Sequence, residues 1–331
     1  MENRKKPKSV AAFFREWGLI AGIALIIIVA TAIRPAFLSG NNILNILRAY
    51  STIGIASIGM TYVIIGGGMD LSVGSTISLS SVIVMLIINA TVVNGVSPIY
   101  AAFLVLLVGT LVGAAVGAVN GGIMAVVNGR MGESFIITYA MQIVIAAAAQ
   151  AVVKGTFQAA QYNSGLFKDL GIGLIPVLMF VAVAVLMQFI LMKTKFGRTL
   201  FFLGANMDAA KMAGVRIKST RIMAHVICGA CAGLAGVLIV SRVNSASSLQ
   251  GVGYELDAMA SVAVGGTSLA GGNGSVTKTV LGVLVIGVML TALNVLGVNS
   301  NAQLIVRGSV IILSVILDAW NKRAKLREVA K

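Results

Sequence analysis

Apolar residues run along this chain in long blocks, separated by short polar or glycine-rich interruptions. Reading the blocks gives membrane-length segments near 17–34, 43–66, 73–93, 98–127, 134–153, 173–192, 221–241, 276–297 and 303–318. Each is close to the ~20 apolar residues that an α-helix needs to cross a bilayer. A weaker block at 255–272 is the candidate for a tenth. Pro35, Pro98 and Pro176 fall at block ends, where a missing N–H costs least. The expected fold class is therefore all-α and polytopic, with about ten transmembrane helices and Gly-rich broken or re-entrant segments. The 331 residues form one membrane domain with no room for a sizeable aqueous one.

Composition agrees. Hydrophobic residues make up 58% of the chain and charged ones 11%, with a mean hydropathy of +0.98. Too little polar surface remains to cover a solvated globule. The net charge of +15 does not read as a nucleic-acid face, because 17 of the 25 basic residues fall in three short segments, 1–16, 193–221 and 322–331. Basic residues beside spans mark the cytoplasmic side. Both termini (1–16 and 319–331) and the loop 193–221 are thus expected in the cytoplasm, which requires an even number of spans. The first block follows basic residues and ends in Ala30-Thr31-Ala32, but it is too long for a cleaved signal and reads as a retained span.

Two patterns concern packing. Gly109, Gly113, Gly117 and Gly121 recur every four residues and make a smooth stripe for close helix approach, and Gly229 and Gly233 repeat the spacing later. Cys228 and Cys231, with His225 on the same face, read as core residues rather than as a redox or metal site.

An internal repeat concerns function. Gly67-Gly68-Met69-Asp70-Leu71-Ser72-Val73-Gly74 and Gly265-Gly266-Thr267-Ser268-Leu269-Ala270-Gly271-Gly272 both read G-G-x-x-L-x-x-G. Gly-interrupted apolar segments in corresponding halves mark broken helices near a transporter's substrate path. Asp70 and Ser72 can contact a polar substrate or cap the resuming helix. Glu255 and Asp257 are either a solvated loop edge or a gate or partner contact, and an intramembrane carboxylate needs one such reason. Asn120, Gln142, Gln150 and Asn294 are span amides able to bind sugar hydroxyls or neighbouring helices. In the loop 193–221, Asn206 can cap and Gly214 can end a helix of about seven residues whose Ala and Met side chains offer an apolar docking face. No hydrolytic constellation and no phosphate-cradling G-x-x-x-x-G-K-[ST] occurs, so ATP, if used, is bound by another polypeptide.

These motifs resemble the permease subunits of ribose, galactose, xylose and arabinose ABC importers. Gly66 to Ser75 looks like that family's GG-x-DLSVGS signature, and Gly253 to Ala260 with Gly265 to Leu269 looks like its GYELDAIA…GGTSL segment. Phe196-Gly197-Arg198, Asn206, Asp208-Ala209-Ala210 and Gly214 are similar to its cytoplasmic ATPase-engaging loop. The chain departs from the family pattern near Glu133 to Tyr139 and near Asn301 to Gln303. The resemblance implies a non-enzymatic subunit in a bacterial inner membrane that imports a monosaccharide. It also implies a second copy of the chain, an ATP-binding subunit that carries ATP and Mg, an extracytoplasmic sugar-binding protein, and lipid as surroundings. Asp70, Ser72, Ser75, Asn120, Glu255, Asp257, Thr267 and Asn294 would then lie along the substrate path, with Asn206, Asp208, Ala209, Ala210 and Gly214 coupling to the ATPase. An ion-coupled secondary transporter of a small polar solute is the alternative; it would need buried ionisable residues in several spans.

Overall fold

A computed structural model describes residues 22, 24–153, 157–159 and 166–329. The segment 1–16, expected in the cytoplasm, and the last two residues lie outside them. Among the described residues, seven helices are long and apolar enough to cross a membrane: α2 (Gly40–Ile65), α3 (Val73–Val93), α4 (Pro98–Val127), α5 (Met131–Val152), α7 (Ile175–Lys193), α10 (Ile217–Val243) and α12 (Val276–Val295). They are flanked by α1 (Ala24–Ile33) and α13 (Ser300–Val329), whose apolar part ends at Ile316. Short helices α6 (Leu166–Asp169), α8 (Lys195–Ala205), α9 (Met207–Met212) and α11 (Tyr254–Val264) lie between them, with one small antiparallel ribbon pairing β1 (Phe157–Ala159) and β2 (Ser245–Ser247). The fold is that of an all-α polytopic membrane protein.

The stretch 255–272, open in the sequence between a full span and a re-entrant segment, is not one membrane-length helix. The helix there, α11, has 11 residues, about 16 Å of rise against the ~30 Å hydrocarbon core, and a glycine-rich loop follows it. The glycines explain the break. Gly266 lies at φ +88, which stops the helix, and Gly271 and Gly272 at φ +85 and +71 forbid its resumption until Ser275 caps α12 by accepting from Lys278 N–H.

The core is the α4–α10 pair with α2 and α3 packed against it. The glycine stripe brings the two backbones together: a Cβ on Gly113 would lie 2.7 Å from Gly233 N, and one on Gly229 would lie 2.9 Å from Gly117 N. Ser80 Oγ, from α3, donates to Gly233 O at 2.9 Å where all three helices meet. Cys228 and Cys231 are buried in this core, and Gly59 of α2 packs on the backbone of Cys228.

Toward the membrane the bundle is apolar. Phe103, Leu107, Leu178 and Val185 stand exposed on α4 and α7, as a lipid-facing surface requires.

Candidate functional site: two broken helices

The internal repeat is a structural repeat. At the end of α2, Gly67 N–H donates to Ile64 O and Gly68 N–H to Val63 O, and Gly67 takes φ +80. At the end of α11, Gly266 N–H donates to Ala263 O and Thr267 N–H to Val262 O, with Gly266 at φ +88. These are the same Schellman cap built twice. The correspondence pairs Gly66-Gly67 with Gly265-Gly266, one residue earlier in the first copy than the sequence alignment above. A left-handed glycine at the cap fixes the pairing, whereas counting identities in a run of three glycines does not.

The two loops touch. Gly272 N–H donates to Ile65 O at 2.9 Å, and a Cβ on Gly271 would lie 2.9 Å from the Cα of Gly67. Gly204, in the last turn of α8, wedges beside them: a Cβ there would lie 2.6 Å from Gly272 N. Three backbones with no side chain between them converge where the segment 193–221 meets the spans.

From Gly68 the first loop climbs to α3. Its backbone is satisfied by α5: Ser134 Oγ accepts from Met69 N at 2.9 Å and Thr138 Oγ1 accepts from Leu71 N at 3.1 Å. Irregular backbone inside a bilayer requires such partners. The sequence reading missed both roles; their spacing of four residues on one face of α5 was the available signal. Asp70 then bends the chain into α3, its Oδ1 accepting from Ser72 N at 3.0 Å and from Ser72 Oγ at 2.6 Å. Asn120 of α4 donates to Ser72 Oγ at 2.7 Å, with both Asp70 oxygens 3.4 Å away. Asp70, Ser72 and Asn120 are all buried. Ser72 occupies the N-cap position of α3, but its hydroxyl makes no capping bond. The capping expectation is therefore refined: Asp70 braces the turn before the helix. Ser75 sits inside the first turn and donates to Ser72 O at 2.9 Å.

The start of α11 rests on the first turn of α3. Gly251 N–H donates to Ser78 Oγ at 2.9 Å, and a Cβ on Gly74 would collide with the Glu255 carboxylate. Glu255 Oε1 accepts from Gly253 N at 3.3 Å, while its buried Oε2 has no hydrogen-bond partner among the described residues. Both helix N-termini thus meet at one level, each with a buried carboxylate; N–H groups at such ends favour negative charge. Asp257 faces away from this level and pairs with Arg307 of α13 at 3.2 Å. Neither carboxylate is a solvated loop edge. Thr267 is buried in the second loop.

Asn294 does not join the cluster. It lies 18 residues beyond the start of α12, about 27 Å along the axis. Its Oδ1 accepts from Gln303 Nε2 at 2.8 Å, and it lines an open cavity of about 480 Å³ with Arg34, Asn41, Asn42 and Asn45.

In the segment 193–221, Asn206 caps α9 by accepting from Ala209 N at 2.9 Å, and Gly214 ends it at φ +75. Asp208 is exposed and pairs with Arg130 at 3.2 Å. Ala210 is fully buried and Met212 is 91% exposed. The expected apolar docking face is corrected accordingly: Ala210 anchors α9 to its own chain, and Met212 is the apolar side chain it offers outward.

An apolar bundle, two glycine-capped helix breaks in contact and buried carboxylates at the resuming helices define a polytopic membrane permease. The chain belongs to the family described as branched-chain amino acid transport system / permease component, whose model matches residues 42–315. It is similar to the ribose import permease protein RbsC of Bacillus subtilis, 37% identical over 91% of this chain and 92% of that one. It also resembles the D-allose transport system permease protein AlsC of Escherichia coli K12, at 34% over 96% and 95%. The L-arabinose transport system permease protein AraH of the same strain is 31% identical over 96% of each chain. No solved structure matches. The chain is thus a multi-pass transport subunit.

Proposed function

We propose that this chain is the membrane subunit of an ATP-binding-cassette importer that moves a monosaccharide, a ribose-like pentose or a hexose, into the cytoplasm. Its relatives carry ribose, allose and arabinose in their names, which favours a neutral polyhydroxylated solute over an amino acid. Two copies of the chain form the pathway between them. A separate ATPase binds ATP and Mg and docks on α9, and an extracytoplasmic sugar-binding protein delivers the solute. Both termini and the segment 193–221 face the cytoplasm of the inner membrane.

One observation carries this reading: the end of α8, next to the docking helix, packs backbone to backbone on both glycine-rich breaks through Gly204. Movement of the 193–221 segment would displace the breaks directly, since no flexible side chain intervenes to absorb it. The breaks in turn position Asp70, Ser72, Asn120 and Glu255, whose carboxylates, hydroxyl and amide suit sugar hydroxyls exposed by a rearrangement of the helix ends. Asn206, Asp208 and Ala209 form the outer part of the docking helix, while Ala210 and Gly214 fix its position.

The test is sugar uptake by the reconstituted complex with Gly204→Val. A Val at Gly204 must push apart Ile65 and Gly272, so uptake is expected to fall at least tenfold with the ATPase still bound. Normal uptake would sink the assignment.

A further inference from the structure

The cytoplasmic-loop end of α10 holds a charge that the reading above does not use. Arg221 is 7% exposed and His225, one turn further, is 2% exposed. Arg221 Nη1 and His225 Nε2 are buried, and neither has a hydrogen-bond partner among the described residues. Two such orphans on adjacent turns are uncommon, because each unpaired buried group costs about 1–3 kcal/mol. Both residues line one small cavity of about 10 Å³, whose other walls include Gly66, Gly67 and Gly68 of the first break and Leu200 and Leu203 of α8.

The size decides the occupant. A cavity near 10–15 Å³ admits one water and no sugar, phosphate or hydrated ion. The polarity also fits. His225 Nδ1 lies 3.0 Å from Arg221 O, a backbone carbonyl that only accepts, so Nδ1 carries the hydrogen. In the neutral ring, Nε2 is then an acceptor, while Arg221 Nη1 is a donor. One water satisfies both, accepting from Arg221 and donating to His225, with a second hydrogen free for the glycine-loop wall.

The other end of Arg221 matters as much. Nη2 lies 3.1 Å from Met207 Sδ, at the first residue of α9. The glycine stripe of α4 holds the His225 backbone in place, since a Cβ on Gly117 would lie 2.7 Å from the His225 carbonyl carbon.

We propose that Arg221 and His225 hold one buried water against Gly66, Gly67 and Gly68, and that Arg221 is a positioning residue linking the docking helix through this water to the first helix break. This rests on the function proposed above and adds a second route beside Gly204. A thioether and a water are weak, readily exchanged partners, so the link can break and re-form as α9 moves. Packed backbone cannot.

Two measurements test it on the reconstituted complex of this chain, its ATPase and its binding protein. A high-resolution structure of that complex should show one water within hydrogen-bond distance of both Arg221 Nη1 and His225 Nε2. The ratio of sugar imported to ATP hydrolysed should fall at least fivefold in Arg221→Met, with hydrolysis retained, and recover for the most part in Arg221→Lys. His225→Phe, which fills the cavity with a ring that accepts no hydrogen bond, should lower the same ratio, and His225→Gln should spare it. A merely structural arginine would change the yield of folded complex and leave the ratio alone. An empty cavity in the structure, or an unchanged ratio in both Arg221→Met and His225→Phe, overturns the proposal. A wild-type complex in which ATP drives no uptake overturns the function proposed above instead, and the density at the cavity still decides the water.

Discussion

Gly74 shows how far one missing methyl group matters here. A Cβ at this position meets the Glu255 carboxylate and the Gly251 carbonyl together, and although the carboxylate can turn aside, the Gly251 backbone is held against α3 by Ser78 Oγ and leads directly into α11. Gly74→Ala is therefore expected to unseat α11 from α3 and to lower the melting temperature of the purified protein by several degrees; an unchanged melting curve would contradict this packing. Gly266 is a contrasting case. Nothing lies within 4 Å of its missing Cβ, so Gly266→Ala meets only the strain of φ +88, about 1–2 kcal/mol, and the protein should still fold. At Asp257 the balance concerns charge. Arg307 retains 29% side-chain exposure, which softens the loss, so Asp257→Asn should destabilise by about 1–3 kcal/mol in chemical unfolding. Combining it with Arg307→Gln should restore part of that loss, and a double variant as weak as the sum of the two singles would show that the pair is not coupled.

Among the elements, the long apolar helices were legible from the chain because a continuous apolar block marks a span, most closely in α3, predicted at 73–93 and found at Val73–Val93. The glycine stripe was legible too, since a four-residue period of small residues has one physical use in a bundle. The depth of α11 was not. Its residues are apolar enough for a buried helix, and only the left-handed glycines at 266, 271 and 272 distinguish half a span from a whole one. Partners distant in sequence were equally hidden: the four-residue spacing of Ser134 and Thr138 marks a polar face on α5 but does not point to Met69 and Leu71, and nothing at Asp257 announces Arg307. Arg221 counts in the sequence among the basic residues of 193–221, yet it is buried against Met207 and beside His225, because a count of charges carries no information on burial. For the α4–α10 pair, Gly113→Leu should separate helices that now touch through backbone, and the expected result is loss of folded protein from the membrane rather than a selective loss of transport.

For the whole molecule, the proposed orientation rests on the basic segments and the parity of crossings. If α11 and its loop count as one crossing, Met212 and Asn299 lie on opposite faces of the membrane, and both are exposed. Met212→Cys should react with an impermeant thiol reagent only from the cytoplasm, and Asn299→Cys only from outside; labelling of both from one side would refute the orientation. The most direct test of the central claim is radiolabelled monosaccharide uptake into proteoliposomes holding this chain, its ATPase and the binding protein. Uptake is expected to require ATP inside, where the ATPase sits, and sugar-loaded binding protein outside, and to continue when ionophores collapse every ion gradient. Uptake by the chain alone that stops with a protonophore would contradict the account and identify a gradient-driven transporter.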